Sequence, residues 1–105
     1  MNLEQRKMFY ERLKDNILEV HYTSNKGIYH EIECTLKKDL ILTDKYISST
    51  SWEKTKDEII VWNVIDQGWR SFSLNSIIEY ILRTWDEEGN LVTFDYTKED
   101  DFVIL

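Results

Sequence analysis

The sequence has no proline, one cysteine and three glycines among its 105 residues. The single cysteine, Cys34, excludes an internal disulfide and fits a reducing compartment. Three isolated glycines supply neither a phosphate-binding loop nor a dinucleotide fingerprint. No apolar run approaches the length of a membrane span, and the chain starts with polar residues. We therefore expect a cytoplasmic protein with no membrane segment and no signal peptide.

The chain does contain enough apolar surface for one packed domain. Hydrophobic residues make up 42% of the sequence and aromatic residues 13%, which argues against wholesale disorder. No low-complexity tract or linker interrupts it. We expect a single domain over residues 1–105.

The N-terminal segment has the pattern of a capped amphipathic helix. Asn2 followed by Gln5 predicts a capping box, and Asp15-Asn16 predicts the end of the helix. The residues expected on the buried face are Leu3, Phe9, Leu13 and Ile17.

Two hairpins are predicted, each with a three-residue loop that ends in glycine. In the first, the loop Asn25-Lys26-Gly27 pairs strand residues so that the apolar ones share one face. The predicted pairs are Tyr22 with His30, Val20 with Ile32 and Leu18 with Cys34. In the second, the loop Asp66-Gln67-Gly68 predicts the pairs Val64 with Arg70, Trp62 with Phe72 and Ile60 with Leu74.

The second hairpin carries apolar groups on both faces. One face belongs to the core, and the other is expected to be covered by the N-terminal helix, by residues 37–57 or by another subunit. Together with the apolar end of the chain (residues 102–105) and the tendency of small open barrels to pair strand edges, this pattern predicts homo-oligomerisation.

The remaining segments have weak or mixed patterns of apolar residues. Residues 37–57 predict an excursion between strands, with a loop at residues 48–51. Residues 77–85 fit a helix by the spacing of Ile77, Ile81 and Trp85, or a strand by the alternation of Ile78, Tyr80 and Leu82. A turn at residues 86–90 and a strand at residues 91–96 follow, and residues 102–105 are expected to dock as an edge strand or at an interface.

The net charge of −7 is unevenly distributed. Residues 1–57 carry ten basic and ten acidic side chains, whereas residues 58–105 carry three basic and ten acidic ones. After Trp85, Lys98 is outnumbered by seven acids, namely Asp86, Glu87, Glu88, Asp95, Glu99, Asp100 and Asp101. Such a run is ordinarily a solvated surface, but it also suits a basic partner and disfavours phosphate contact.

No constellation predicts catalysis, a metal or a cofactor. The two histidines, His21 and His30, fall on opposite faces of the first hairpin, with His21 expected to be exposed beside Glu31 or Glu33 and His30 partly buried near Tyr22. Cys34 falls on the apolar face, where a thiol is inert. We expect a protein that is not an enzyme.

Several short motifs occur in an order that resembles a known family. They are Asn25-Lys26-Gly27, Cys34-Thr35-Leu36, the hydrophobic strand at residues 59–64, and Gly68-Trp69-Arg70-Ser71-Phe72. Over about residues 16–80 the chain resembles the WYL-like family of small tailed-bacteriophage proteins. The resemblance implies an SH3-type, Sm-like β-barrel and action in the bacterial cytoplasm. We thus expect a mainly β fold, with an N-terminal helix (1–16), a barrel core (17–80) and an acidic C-terminal β extension (81–105).

Two functional hypotheses follow. The first is a non-enzymatic phage accessory protein that binds and inhibits a host protein with a basic or nucleic-acid-binding surface. Its interaction patch is Ile65, Trp69 and Arg70, since aromatics and arginine dominate interfaces, although Arg70 and Trp69 also fit internal packing. The alternative is an Sm-like RNA- or DNA-binding module that uses the lysines of the 37–57 segment, namely Lys37, Lys38, Lys45, Lys54 and Lys56.

Overall fold

The computed structural model describes residues 1–41 and 57–97. In this part of the chain one N-terminal helix precedes six antiparallel strands that form one sheet. The elements are α1 (Leu3–Asp15), β1 (Leu18–Thr23), β2 (Tyr29–Thr35), β3 (Glu58–Asn63), β4 (Gly68–Ser73), β5 (Ile77–Trp85) and β6 (Leu91–Thr97), with single 3-10 turns at Lys38–Leu40 and Leu74–Ser76. The predicted class, a small mainly β domain with an N-terminal helix and a C-terminal β extension, is confirmed.

Helix α1 begins with the predicted capping box. The Asn2 side chain accepts a hydrogen bond from the Gln5 N–H, and the Gln5 side chain accepts one from the Asn2 N–H. Phe9 and Leu13 are buried as predicted. Leu3 and Ile17 are exposed, contrary to the prediction, because they lie at the first helical residue and beyond the last one, where the helix no longer faces the sheet.

The sheet has the order β4-β3-β2-β1-β5-β6 and is strongly curled. Tyr22 on β1 and Phe72 on β4 belong to strands separated by two others, yet their rings stack with centroids 4.5 Å apart. Neighbouring strands lie about 4.8 Å apart, so a flat sheet would hold these residues roughly 14 Å apart. Curling therefore brings β4 over β1 and encloses the core between them.

The first hairpin has the predicted register. Tyr22 pairs with His30, Val20 with Ile32 and Leu18 with Cys34. Gly27, at the end of the loop, has a φ of 77°, the left-handed conformation that the loop requires. The histidines therefore lie on opposite faces, and Cys34 is buried in the core.

The second hairpin differs from the prediction in its loop and its register. Four residues, 64–67, connect the strands, and Trp62 pairs with Trp69 rather than with Phe72. The register differs from the predicted one by an odd number of residues. Relative to β3, each side chain of β4 therefore lies on the opposite face of the sheet from the predicted face. Trp62 is only 4% exposed within a single chain, so its burial needs no second subunit.

The physical reason for this difference lies at Asn63 and Gln67. The Asn63 side-chain oxygen accepts hydrogen bonds from the N–H groups of Ile65 and Asp66, which folds the chain back immediately after β3. Gln67, with a φ of 54°, takes the left-handed conformation in this loop, and Gly68 does not.

Residues 77–85 form a strand, which excludes the helical alternative. β5 pairs with β1 on one side and, from Glu79 to Trp85, with β6 on the other. Tyr80 lies opposite Val20 on the core side, as does Leu82 two residues further on, and a register shift between His21 and Tyr22 brings Ile77 to the same side. The predicted turn at residues 86–90 and the hairpin with the following strand are confirmed.

The helix is fixed to the sheet by ring packing and by one buried hydroxyl. Phe9 packs against Tyr80 with ring centroids 4.9 Å apart, and Arg12 donates a hydrogen bond to the Tyr80 hydroxyl. Thr35 is fully buried, and its hydroxyl donates a hydrogen bond to the carbonyl of Asn16. The carbonyl oxygen of Leu13 lies 3.2 Å from the same hydroxyl oxygen. These contacts hold the end of α1 against β2 without leaving a buried polar group unpaired.

The predicted loop at residues 48–51 and the predicted docking of residues 102–105 lie outside the described residues. Across residues 1–41 and 57–97, no helix is long and apolar enough to cross a membrane.

Candidate interaction surface

The sheet has an inner face, which covers the core, and an outer face that carries carboxylates. In the first hairpin, alternation along β1 and β2 places charged residues outward between apolar residues that point inward. Five carboxylates lie on outward positions of four neighbouring strands. We call them the acidic face: Glu19 on β1, Glu31 and Glu33 on β2, Glu79 on β5 and Asp95 on β6.

Pairing between strands brings these carboxylates side by side. Glu33 lies directly opposite Glu19, and Glu31 lies opposite His21, which in turn pairs with Glu79. Like charges directly opposite each other in a sheet are destabilising. The folded state therefore tolerates a concentration of negative charge that packing alone does not require.

His21 joins the carboxylates into a hydrogen-bonded network. Its Nε2 lies 2.7 Å from Glu19, and its Nδ1 lies 3.0 Å from the Tyr29 hydroxyl, which donates to Glu31 at 2.8 Å. The ring of His21 thus lies between Glu19 and the Tyr29 hydroxyl, and through that hydroxyl it is linked to Glu31. The prediction of an exposed His21 is wrong, since only 14% of its side chain is accessible.

The hydrogen bond from His21 lowers the pKa of Glu19, and Arg83, which ion-pairs with Glu19 at 3.3 Å, acts in the same direction against the effect of burial. The bond to Glu31 raises the pKa of the Tyr29 hydroxyl. Glu19 is thus held in its charged form at neutral pH.

Beyond the acidic face, β5 and β6 extend as a two-stranded arm. β1 pairs with β5 only as far as Ile81, whereas β6 pairs with β5 as far as Trp85. We use the term arm for residues 82–94. At its end the Asp86 carboxylate accepts hydrogen bonds from the N–H groups of Glu88 and Asn90, which makes Asp86 a turn residue.

The end of the arm exposes an apolar pair. Trp85 is 70% exposed and Leu91, directly opposite it, is 55% exposed. Trp85 lies on the same side of β5 as Glu79 and Arg83, so the pair continues the outer face. Glu87 and Glu88 adjoin it in the turn.

The predicted patch of Ile65, Trp69 and Arg70 does not form one surface. Ile65, which is 69% exposed, and Arg70 line the same cleft, and Arg70 ion-pairs with Asp66 at 3.2 Å. Trp69 follows the opposite face of β4 and packs edge-on against Trp62, with ring centroids 5.3 Å apart.

The predicted acidic surface is only part of the charge that the fold assembles. Asp86, Glu87, Glu88 and Asp95 lie on or next to the arm, whereas Glu99, Asp100 and Asp101 lie outside the described residues. Sequence reasoning missed Glu19, Glu31 and Glu33 because the charges of residues 1–57 cancel in number, and it missed Glu79 because this residue precedes the acidic run after Trp85. The alternation of glutamates with apolar residues in the first hairpin was the available signal.

The described residues contain no group of three or more His, Cys, Asp or Glu side chains arranged to hold a metal ion. His30 stacks on Tyr22 with ring centroids 5.0 Å apart and lies on the inner side, as predicted, away from His21. Burial raises the pKa of the Cys34 thiol, which opposes formation of a nucleophilic thiolate.

No family model, no curated protein and no solved structure matches this chain.

Proposed function

We propose that this protein is a non-enzymatic binding protein whose acidic face and arm receive a basic surface of a partner protein. The observation that carries the proposal is the placement of Glu19 opposite Glu33, with three further carboxylates on neighbouring outward positions. Such a surface attracts lysine and arginine side chains and accelerates encounter with a basic partner.

The arm adds an apolar contact to the charged contacts of the acidic face. Tryptophan is among the residues that contribute most to binding energy when a partner buries them, and charged residues around them set orientation and specificity. Trp85 and Leu91 form such an apolar centre, with Glu87 and Glu88 in the adjoining turn. The partner surface would accordingly be apolar at its centre and basic around it.

The biological setting that we propose is that of a phage accessory protein in the bacterial cytoplasm. The motifs at residues 25–27, 34–36 and 68–72, which resemble the WYL-like, Sm-like barrel proteins of tailed phages, support it. The curled sheet, in which β5 returns to pair with β1, fits an SH3-type barrel. A host protein with a nucleic-acid-binding surface has the required basic charge, and occupation of that surface would inhibit it.

The alternative of an RNA- or DNA-binding module has weaker support. The acidic face repels phosphate. Lys37 ion-pairs with Asp39 at 3.8 Å, and Lys45, Lys54 and Lys56 lie outside the described residues. A gel-shift titration with single-stranded RNA and DNA at low salt distinguishes the two hypotheses, because retardation that weakens with added salt would favour the alternative.

The direct test of the proposal is capture from bacterial lysate by three forms of the tagged protein. The natural chain is compared with Glu33→Lys/Glu88→Lys, which reverses two charges on the outer face and arm, and with Glu11→Lys/Asp15→Lys, which makes the same change in charge on exposed positions of α1. We expect a basic protein, identified by mass spectrometry, to be captured by the natural chain and the helix variant but lost from the outer-face variant. Equal capture by all three folded forms would refute the proposal.

A further inference from the structure

Strand β2 is paired on both sides over only a small part of its length. β1 pairs with it continuously from Tyr29 to Cys34. On its other side, β3 pairs only with Cys34 and Thr35. Among the described residues, Tyr29 to Glu33 therefore have a strand neighbour on the β1 side alone.

The backbone groups of β2 that point away from β1 can be identified from one hydrogen bond. The carbonyl of Glu33 accepts from the Val64 N–H at 2.9 Å, so the backbone groups of Glu33 face the β3 side. Successive residues of a strand direct their N–H and C=O groups to alternate sides, so those of Glu31 also face that side. Glu31 is exposed.

A cleft lies beside this edge. It has a volume of about 430 Å³, and Glu31, Glu33, Asn63, Ile65, Asp66 and Arg70 contribute to its lining. The cleft is open because the Asn63 side chain folds the chain back after β3, so that the second hairpin leaves β2 at Val64. Within residues 1–41 and 57–97, no strand takes the space that a continued β3 would occupy next to β2.

We propose that this edge of β2 accepts an extended basic segment of the partner as an additional strand. The inference rests on the proposed function and names its mode of recognition. Strand addition obtains affinity from main-chain hydrogen bonds and specificity from alternate side chains. Residues of the segment opposite Glu31 and Glu33 share the outer face with these carboxylates and would be lysine or arginine, whereas the residues between them would be apolar and adjoin His30 and Ile32.

A second copy of this chain is a poorer occupant of the same edge. Antiparallel self-pairing centred on Glu31 would place this glutamate opposite its own counterpart and Glu33 opposite Tyr29, adding repulsion to a face that already holds Glu19 and Glu79. A segment in which basic and apolar residues alternate meets the opposite charge instead.

The test uses a capped peptide of alternating lysine and valine residues, with a fluorescent label for anisotropy at low salt. In an antiparallel added strand whose lysines lie opposite Glu31, the lysine N–H groups point to β2 and the valine N–H groups point away. N-methylation of the lysine amides should therefore weaken binding by at least about tenfold, because two or more main-chain hydrogen bonds are lost. N-methylation of the valine amides, which leaves the charge and composition identical, should weaken it by less than about threefold.

Protein variants provide a second arm of the test. Glu31→Pro removes the N–H that faces the cleft, at an edge position where proline is compatible with a strand, while Glu31→Gln removes only the charge. We expect Glu31→Pro to weaken peptide binding several-fold more than Glu31→Gln. If both methylated peptides bind as the parent does, strand addition is refuted and binding through charge stands. If the parent peptide does not bind at all, the proposed function fails as well.

Discussion

The two faces of the sheet differ in burial and in charge although the same strands form both. On the inner face, Val20, Leu18 and Tyr80 are buried beneath α1 or within the curled sheet. On the outer face, the intervening positions hold Glu19 and Glu79 beside further carboxylates. The inner face is arranged for burial, and the outer face keeps a repulsive pair that burial does not require. The comparison teaches that burial and surface charge are separated by one residue along β1 and β5.

The strongest test of the inner face is Phe9→Ala. Phe9 is completely buried and its ring lies against that of Tyr80. Truncation of a buried phenylalanine costs about 3–5 kcal/mol of the free energy of unfolding, which approaches the whole stability of a small domain. Urea denaturation measures this loss in the free energy of unfolding. Met8→Ala, at a half-exposed position of the same helix, is the control. A loss below about 1 kcal/mol would show that α1 contributes little to the core.

A substitution in the arm should affect binding of the partner and leave the free energy of unfolding almost unchanged. Trp85→Ala removes a side chain that is 70% exposed, so the free energy of unfolding should change by less than about 0.5 kcal/mol. Capture of the basic partner should weaken by about 2–4 kcal/mol, the usual effect of losing a central tryptophan from an interface. Binding of that partner to the natural and variant chains is measured by calorimetry. Unchanged affinity would remove the arm from the interface.

The buried hydroxyl of Thr35 is the next test of the inner side. Thr35→Val keeps the shape of the side chain but leaves the carbonyl of Asn16 and the N–H of Lys37 without their partner. We expect a loss of about 1–3 kcal/mol in urea denaturation, because unpaired buried polar groups are costly. Thr93→Val, on an exposed position of the arm, should have almost no effect.

Local patterns predicted the first hairpin, the helix cap and the burial of Cys34, because each depends on neighbours in sequence. The second hairpin failed because the side chain of Asn63 and a left-handed Gln67, rather than Gly68, set the turn. The sequence also left residues 77–85 ambiguous, since both the helical and the alternating spacing of apolar residues are present, and pairing with β1 and β6 decides between them.

The acidic face was missed for a different reason. The tally of charge in residues 1–57 sums to zero, but the basic residues of α1, such as Lys7 and Lys14, lie on the helix while Glu19 and Glu33 point outward from the sheet. Charge is separated by tertiary structure, which a linear sum cannot represent. The interaction patch of Ile65, Trp69 and Arg70 was divided for the same reason, since Trp69 and Arg70 are adjacent in the strand and face opposite ways.

A smaller effect should follow from relief of the repulsive pair. Glu33→Lys places a positive charge opposite Glu19 and should raise the free energy of unfolding by about 0.5 kcal/mol at low salt, with a smaller gain at high salt. Glu88→Lys, in the exposed turn, has no carboxylate opposite it in a strand and should leave stability unchanged. A destabilised Glu33→Lys would indicate that the carboxylate contributes to the fold rather than to recognition.

The smallest expected effect is the acid dependence of Glu19. Its pKa in the folded protein is lowered from 4.5, mainly by the hydrogen bond from His21, so folding favours the charged form. The stabilisation is complete above the pKa of the unfolded chain and is lost as the pH falls through the lowered pKa of the folded protein. Glu19→Gln cannot ionise, so the difference in stability between it and the natural chain should shrink as the pH is lowered from neutrality to below 4.5. Urea midpoints of both proteins measured across this range decide the matter, and a difference that does not vary with pH would mean that the charge of Glu19 is not stabilised by His21.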